Sequence, residues 1–315
     1  MNLDNDESSQ PAVYRSWAER NGFSDWSLAI LWIIIAFIGF QFTAAIVAVV
    51  LLMINREGPL NAAEITQSFT ENLDLLFVGN TTGQILFLGL ATWFFVRLHA
   101  SKSQRPAFLR FSTNEKTPSM LGLTFILILA IQPTVWFLGW LNAFLPVPDM
   151  LSEFQSSQMQ MIENFLRGDH LLILTLFHVG VVPAICEEVL YRGYVMRAFQ
   201  KSWGILPAIL ISGLLFGLYH VQLSNLLPLA TIGIVLGYVT WVSESIYPAM
   251  LAHFVNNGGS VLVGSYFPDT AFAEMTPETM PPIWAVAVSI IISGYLIYFM
   301  YQQHKNLAST GDTDV

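Results

Sequence analysis

The stretch LLILTLFHVGVVPAICEEVLYR, residues 171–192, poses the problem that the rest of the chain has to solve. From Leu171 to Cys186 it holds no Asp, Glu, Lys or Arg and is apolar enough to enter a bilayer, and then it carries Glu187, Glu188 and Arg192. An ionisable residue within a membrane span costs roughly 2.5–3.5 kcal/mol on insertion scales, so such groups persist where they pair with one another or do something. On a helix Glu188 and Arg192 stack on one face, in the order that favours an i,i+4 ion pair. Glu187 lies about 100° round the helix and has no cation at helical spacing, which leaves it as the free carboxylate.

Working outward, the same tension runs through the whole chain. Of 315 residues, 54% are hydrophobic and only 11% are charged, far more apolar surface than one soluble core of this length needs. Stretches of roughly 18 apolar residues can cross a hydrocarbon layer ~30 Å thick. The sequence predicts an all-α integral membrane protein with about eight transmembrane helices. They fall at Trp26–Ile54, Leu75–Val96, Leu121–Leu145, Leu171–Leu190, Ile205–Val221, Leu226–Val242, Ile246–Phe267 and Ile283–Met300. The helix that begins at Leu171 is expected to run past its apolar part to about Gln200.

The Lys and Arg residues then set the topology. With the N-terminus inside, eleven of the thirteen fall on inner segments, and only Arg56 and Arg167 fall outside. By the positive-inside rule both termini are cytoplasmic. A net charge of −9 argues against a nucleic-acid partner. Residues 1–25 are polar, with Asp4, Asp6, Glu7, Arg15 and Arg20, unlike a cleaved secretory signal. They form a cytoplasmic segment before a single membrane domain at 26–303, and a polar tail follows at 304–315. Cys186 is the only cysteine, so an internal disulfide and any multi-cysteine metal cluster are excluded.

Two connecting segments are longer than the others. His99–Pro118 is basic, with interleaved Pro106, Phe108, Leu109 and Phe111, and suits either an anionic membrane face or a plain solvated loop. Leu151, Phe154, Met161, Ile162, Phe165 and Leu166 recur at near-helical spacing, which predicts a short amphipathic helix, more a connector than a cover over a cavity.

Two further polar clusters sit in apolar stretches: Phe216-Gly-Leu-Tyr-His220 and His253-Phe-Val-Asn-Asn257. A carboxylate in a poorly solvated site accepts a proton more readily than one in water, as a general base near neutral pH must. Glu187 could so activate a water for attack on a carbonyl. Asn257 is one turn from His253 on the same face, and the two could donate to the resulting oxyanion. His220 would orient the water or protonate the leaving amine. Helix rise places Glu187 and His220 at comparable depth, and His253 joins them if the fourth helix protrudes on the cytoplasmic side. Pro183 cannot donate to the carbonyl of Val179, so a kink and a free polar group are expected just above the site.

With EEVLYR at Glu187–Arg192, FGLYH at Phe216–His220 and HFVNN at His253–Asn257, the chain resembles the CPBP family of CAAX proteases and bacteriocin-processing enzymes, whose pattern is EExxxR, FxxxH, HxxxN/D in that order. This family includes the type II prenyl-protein endopeptidases. The resemblance covers roughly residues 120–267. It implies a membrane-embedded endopeptidase in which Glu187 activates water, Glu188 and Arg192 support it, His220 assists, and His253 with Asn257 forms the oxyanion hole. The implied substrate is a membrane-associated protein or peptide, with or without a lipid group, and the implied setting is the bacterial inner membrane. No cofactor is implied.

Other readings compete. His220, His253 and Glu187 could instead make a three-ligand zinc site. A Cys186 nucleophile is disfavoured because no base lies at helical spacing from it. A proton-coupled transporter would show polar breaks in both halves of the chain, whereas here all the clusters fall in the second. A non-catalytic membrane partner or immunity protein of the same fold would have little reason to keep Glu187, His220, His253 and Asn257 together. His178 reads as a packing residue.

Overall fold

In a computed structural model, the described residues are 16–55, 68–69, 72–168, 171–271 and 279–311, with side chains to 305. The polar residues read at 1–15, Arg56 and the end of the tail, 312–315, lie outside them. Ten helices carry the architecture: α1 Asp25–Asn55, α2 Leu73–Leu98, α3 Thr117–Ala130, α4 Gln132–Asn142, α5 Asp149–Arg167, α6 Leu172–Trp203, α7 Ile205–Tyr219, α8 Leu226–Ser243, α9 Tyr247–Tyr266 and α10 Ile283–Gly311. No strand occurs among the described residues, and the protein is an all-α, multi-pass membrane protein.

Every apolar stretch of the sequence is helical, but they differ as spans. Five helices are long and apolar enough to cross a bilayer, and a sixth span results if α3 and α4, bent by 42° at their junction, count as one. The bend has a cause in the sequence. Pro133 cannot donate into the preceding turn. α7 has only 15 residues, about 22 Å of rise, which is short of a full crossing. α9 has the length but is interrupted by His253, Asn256 and Asn257. The count of eight full spans is therefore more than these helices support by length and composition.

Burial separates the outer helices from the central one. In α1 only 17% of the spanning window is buried inside the protein, against 50% for α6. Leu31, Ile34, Ile38 and Phe42 of α1 and Ile290, Ile291 and Tyr295 of α10 are exposed, a surface that only lipid can cover favourably. Two apolar cores fill the interior. One gathers α1, α2 and α6 around Trp32, Leu88, Leu190 and Tyr194. The other packs α3, α8, α9 and α10 around Leu127, Leu236, Val239 and Met300.

α7 and α8 cross closely, and glycine makes it possible. A Cβ on Gly213 would lie 2.7 Å from the backbone nitrogen of Ile234, and one on Gly233 would lie 2.7 Å from the carbonyl oxygen of Gly213. Small residues admit such backbone contact between membrane helices. α6 continues past its apolar part to Trp203, three residues beyond the expected end, and stops at Gly204, whose φ of +83° suits glycine.

Candidate active site

α6 presents its two carboxylates to different surroundings. Glu188 is fully buried, and its Oε1 accepts from Arg192 Nη1 at 3.1 Å and from His253 Nδ1 at 2.8 Å. Arg192, also fully buried, donates from Nη2 to the carbonyl of Gly233 at 2.9 Å. The carbonyl it uses belongs to the glycine that lets α8 approach α7. Its guanidinium stands 4.5 Å over the ring of Phe216, a cation–π contact inside a desolvated site.

Glu187 is almost as buried, yet its Oε2 has no hydrogen-bond partner. Two imidazoles face that oxygen. His220 Nε2 stands at 4.0 Å and His253 Nε2 at 3.9 Å. Both rings are oriented from behind: His220 Nδ1 lies 2.8 Å from the carbonyl oxygen of Phe216, and His253 Nδ1 is on the Glu188 carboxylate. Acceptors at both Nδ1 atoms fix those nitrogens as N–H donors, leaving each Nε2 for the side that faces Glu187.

Phe216, which the sequence reading passed over except as part of a motif, explains why a phenylalanine belongs four residues before His220. Its ring packs edge-on against His220 at 4.9 Å and His253 at 5.5 Å, and lies beneath Arg192. Its carbonyl sets the His220 ring. One residue thus spaces both imidazoles and the guanidinium.

His220 is the cap of α7 rather than a mid-helix residue, because the chain turns at Val221, φ +54°. The turn is held from two other helices. Asn142, fully buried at the end of α4, donates to the carbonyl of Leu223 and accepts from the nitrogen of Leu227, each at 2.8 Å. Gln155 of α5 donates to the carbonyl of Val221 at 3.2 Å, and its Oε1 accepts from Ser224 Oγ at 2.6 Å and from the Ser224 nitrogen at 3.2 Å. The amphipathic helix expected near 151–166 is present as α5, and it anchors the loop that follows His220.

Asn257 is placed differently from the sequence expectation. Its amide donates to the carbonyl of Val179 at 3.1 Å, four residues before Pro183, where α6 is wound as a π-helix over Leu176–Val181. A side chain thus meets the carbonyl at which a free polar group was expected. The amide is itself oriented by Asn256, which donates to Asn257 Oδ1 at 3.2 Å and accepts from Gln132 at 3.2 Å. His178 pairs with Thr81 across α2, in keeping with a packing role.

A zinc ion would need the same residues closer together. Tetrahedral ligands bound at ~2.0–2.1 Å lie about 3.3 Å apart, whereas Glu187 and the two imidazoles are 3.9–4.0 Å apart. No group of three ligating side chains among the described residues is arranged to hold a metal ion. As placed, the three do not close around zinc. Cys186 is buried, with its sulfur facing Gly89.

No curated protein and no solved structure matches the chain. A family model does match, over the part of the chain that runs from the start of α6 to just beyond Asn257. Residues 169–259, which hold all three polar clusters, match the family described as Type II CAAX prenyl endopeptidase Rce1-like, the relationship that EEVLYR, FGLYH and HFVNN imply.

Proposed function

We propose that the protein is an intramembrane endopeptidase in which Glu187 activates a water to hydrolyse a peptide bond of a membrane-associated polypeptide. The observation that carries this reading is the unpartnered, buried Oε2 of Glu187 facing two imidazole Nε2 atoms at 3.9 and 4.0 Å. Such separations are too long for direct hydrogen bonds and suit one water lying ~2.8 Å from each atom.

Glu187 takes the proton of that water as the oxygen attacks the carbonyl carbon. His253, held at Nδ1 by Glu188, turns its Nε2 toward the developing oxyanion and donates to it when that nitrogen carries a proton. Arg192 holds Glu188 in place for that task. His220 orients the water through Nε2, and the proton that Glu187 has taken passes on, by way of that nitrogen, to the leaving amine. Asn257 can join the oxyanion hole through the second N–H of its amide, the first being engaged by Val179. Every step uses side chains of this chain and no metal.

The matched family name points to substrates that carry a lipid group, and the membrane setting suits them. Eleven of the thirteen Lys and Arg lie on the segments assigned inside, which supports cytoplasmic termini and, for a bacterial chain, the inner membrane.

The test is a comparison of new protein N-termini in membranes of cells carrying the native protein and cells carrying Glu187→Ala at equal abundance. Specific N-termini that disappear in the variant support the protease and name its substrates. An unchanged set, with a phenotype on deletion, would replace it with a binding or transport role. Metal analysis of active protein is the companion measurement. Full activity with well under one equivalent of zinc is the expected result, and activity lost to a chelator and restored by zinc alone would turn the site into a metal centre.

A further inference from the structure

Outside the catalytic cluster, the end of the bundle richest in Lys and Arg holds two clefts that share Arg197 and Gln200. Their charges are handled in opposite ways. In the cleft of about 480 Å³ beside His99, the cations are answered: Lys201 Nζ lies 3.0 Å from Asp25 and 3.4 Å from Glu19, and His99 pairs with Asp25 at 2.5 Å. In the neighbouring cleft of about 540 Å³, the one carboxylate is that of Glu244, and among the described residues no ion pair joins it to Arg110 or Arg197.

That second cleft is lined by Arg110, and this side chain is the unusual one. Only 5% of Arg110 is exposed, and its guanidinium reaches Gln200 Oε1 at 2.5 Å and Met196 Sδ at 3.9 Å, both neutral. Burial pushes its pKa down to about 9, with Arg197 adding repulsion and Glu244 opposing it. A buried cation without an anionic partner is costly, and a protein keeps one where something supplies the charge.

The walls around it are fixed. Arg110 itself has φ +60°, and its carbonyl accepts from the Ile246 nitrogen at 3.0 Å. Ser112 donates to the Glu244 carbonyl and Asn114 to that of Ser243, each at 3.1 Å, tying the segment to the α8–α9 turn. Ser112 and Thr113 also line the cleft. Trp241, at the end of α8, and His304 of α10 form one wall with their rings 5.0 Å apart. An indole at the end of a spanning helix is typical of the headgroup level of a bilayer.

We propose that this cleft is a binding site for a phosphate group, held by the guanidinium groups of Arg110 and Arg197 and reached from the headgroup level of the surrounding membrane. Two guanidinium groups in one cleft match the oxygens of a phosphate mono- or diester. Glu244 is the one carboxylate lining the cleft, and it sets a limit on the affinity.

The test uses the full chain in a neutral detergent, with native mass spectrometry reading retained lipid. Phosphatidic acid and phosphatidylglycerol are offered beside phosphatidylcholine, and inorganic phosphate is added as the soluble source. The expected result is retention of the two anionic lipids over phosphatidylcholine, weakened about tenfold by Arg197→Gln through loss of one charge-assisted contact. Glu244→Gln should act in the opposite direction and tighten binding, which no general loss of folding can imitate. Arg110→Gln is informative only beside these two, because it also alters a packed side chain. Displacement of the lipid by millimolar inorganic phosphate, sensitive to Arg197→Gln, would support the site and assign it to soluble phosphates; lipid retention that phosphate cannot displace would support it and assign it to headgroups. Equal retention of phosphatidylcholine, or binding unchanged in both Arg197→Gln and Glu244→Gln, would overturn the proposal.

Discussion

Glu187 and Glu188 are neighbours on α6, equally charged in sequence and almost equally buried, yet the protein treats them as opposites. Glu188 is tied to Arg192 and His253, and Arg192 in turn to the backbone of α8. Glu187 Oε2 is left without a partner while two imidazoles face it. Glu188 is committed through Oε1 to a guanidinium and an imidazole, although its Oε2 is also unpartnered, whereas the unpartnered oxygen of Glu187 is the one that two imidazole Nε2 atoms face. The difference between them is one of connection rather than burial.

The largest effect expected from breaking that contrast is on activity alone. Glu187→Gln keeps the size of the side chain and removes its capacity to take a proton, so turnover should fall by ~10²–10⁴-fold or more. The melting temperature should stay close to that of the native protein, since no hydrogen bond to Oε2 is lost. Retention of full turnover by this variant would sink the water-activation role. On the other side of the helix, Arg192→Ala strands Glu188 in the interior. Breaking a buried pair by removing one partner costs about 3–5 kcal/mol. Unfolding measured in detergent should show that loss, with activity falling alongside the folded fraction. A variant as stable as the native protein would mean that Glu188 is neutralised in some other way.

Asn257 tests whether one residue can stand on both sides of the comparison. Asn257→Ala leaves the Val179 carbonyl without its side-chain donor, worth about 1–3 kcal/mol of stability. If its second N–H also serves the oxyanion, the turnover of the folded protein falls by a further ~10²–10³-fold. Stability lost with turnover per folded molecule unchanged would confine Asn257 to the backbone it caps.

The division between the two glutamates was legible in the sequence because it follows from helical spacing alone. An i,i+4 pair is written into EEVLYR, and so is the residue it leaves out. The helices were legible for the same reason, as lipid demands long apolar runs. The turn after His220 was not, because what fixes it is far away in sequence. Asn142 sits at the end of an apolar stretch and Gln155 in the middle of an amphipathic one, and neither spacing says that both reach residues 221–227. Phe216 was visible as a motif letter without a reason, since its value lies in three contacts made by three different elements. The role of Asn257 was half legible: Pro183 announced a free carbonyl at Val179, but nothing local announced which side chain would meet it.

The smallest expected effect comes from Gln155, and it asks how far the geometry of the site depends on its surroundings. Gln155→Ala removes one hydrogen bond to Val221 and two from Ser224. These bonds lie at the edge of the bundle, where water can replace part of what is lost, so the stability cost should be about 1 kcal/mol. The Val221 backbone is left-handed, a conformation that a β-branched residue adopts only when its surroundings hold it there. Releasing it should let His220 depart from its line to Glu187, and kcat should drop by about 3–10-fold, roughly the scale of 1 kcal/mol in a barrier. KM should hardly move if α5 positions the histidine rather than the substrate. Gln155→Glu, which keeps the acceptor for Ser224 and loses the donor to Val221, should fall between the native protein and the alanine variant. A change in KM with kcat untouched would make α5 a cover over the substrate, and the order of the two variants would then be set by access instead of alignment.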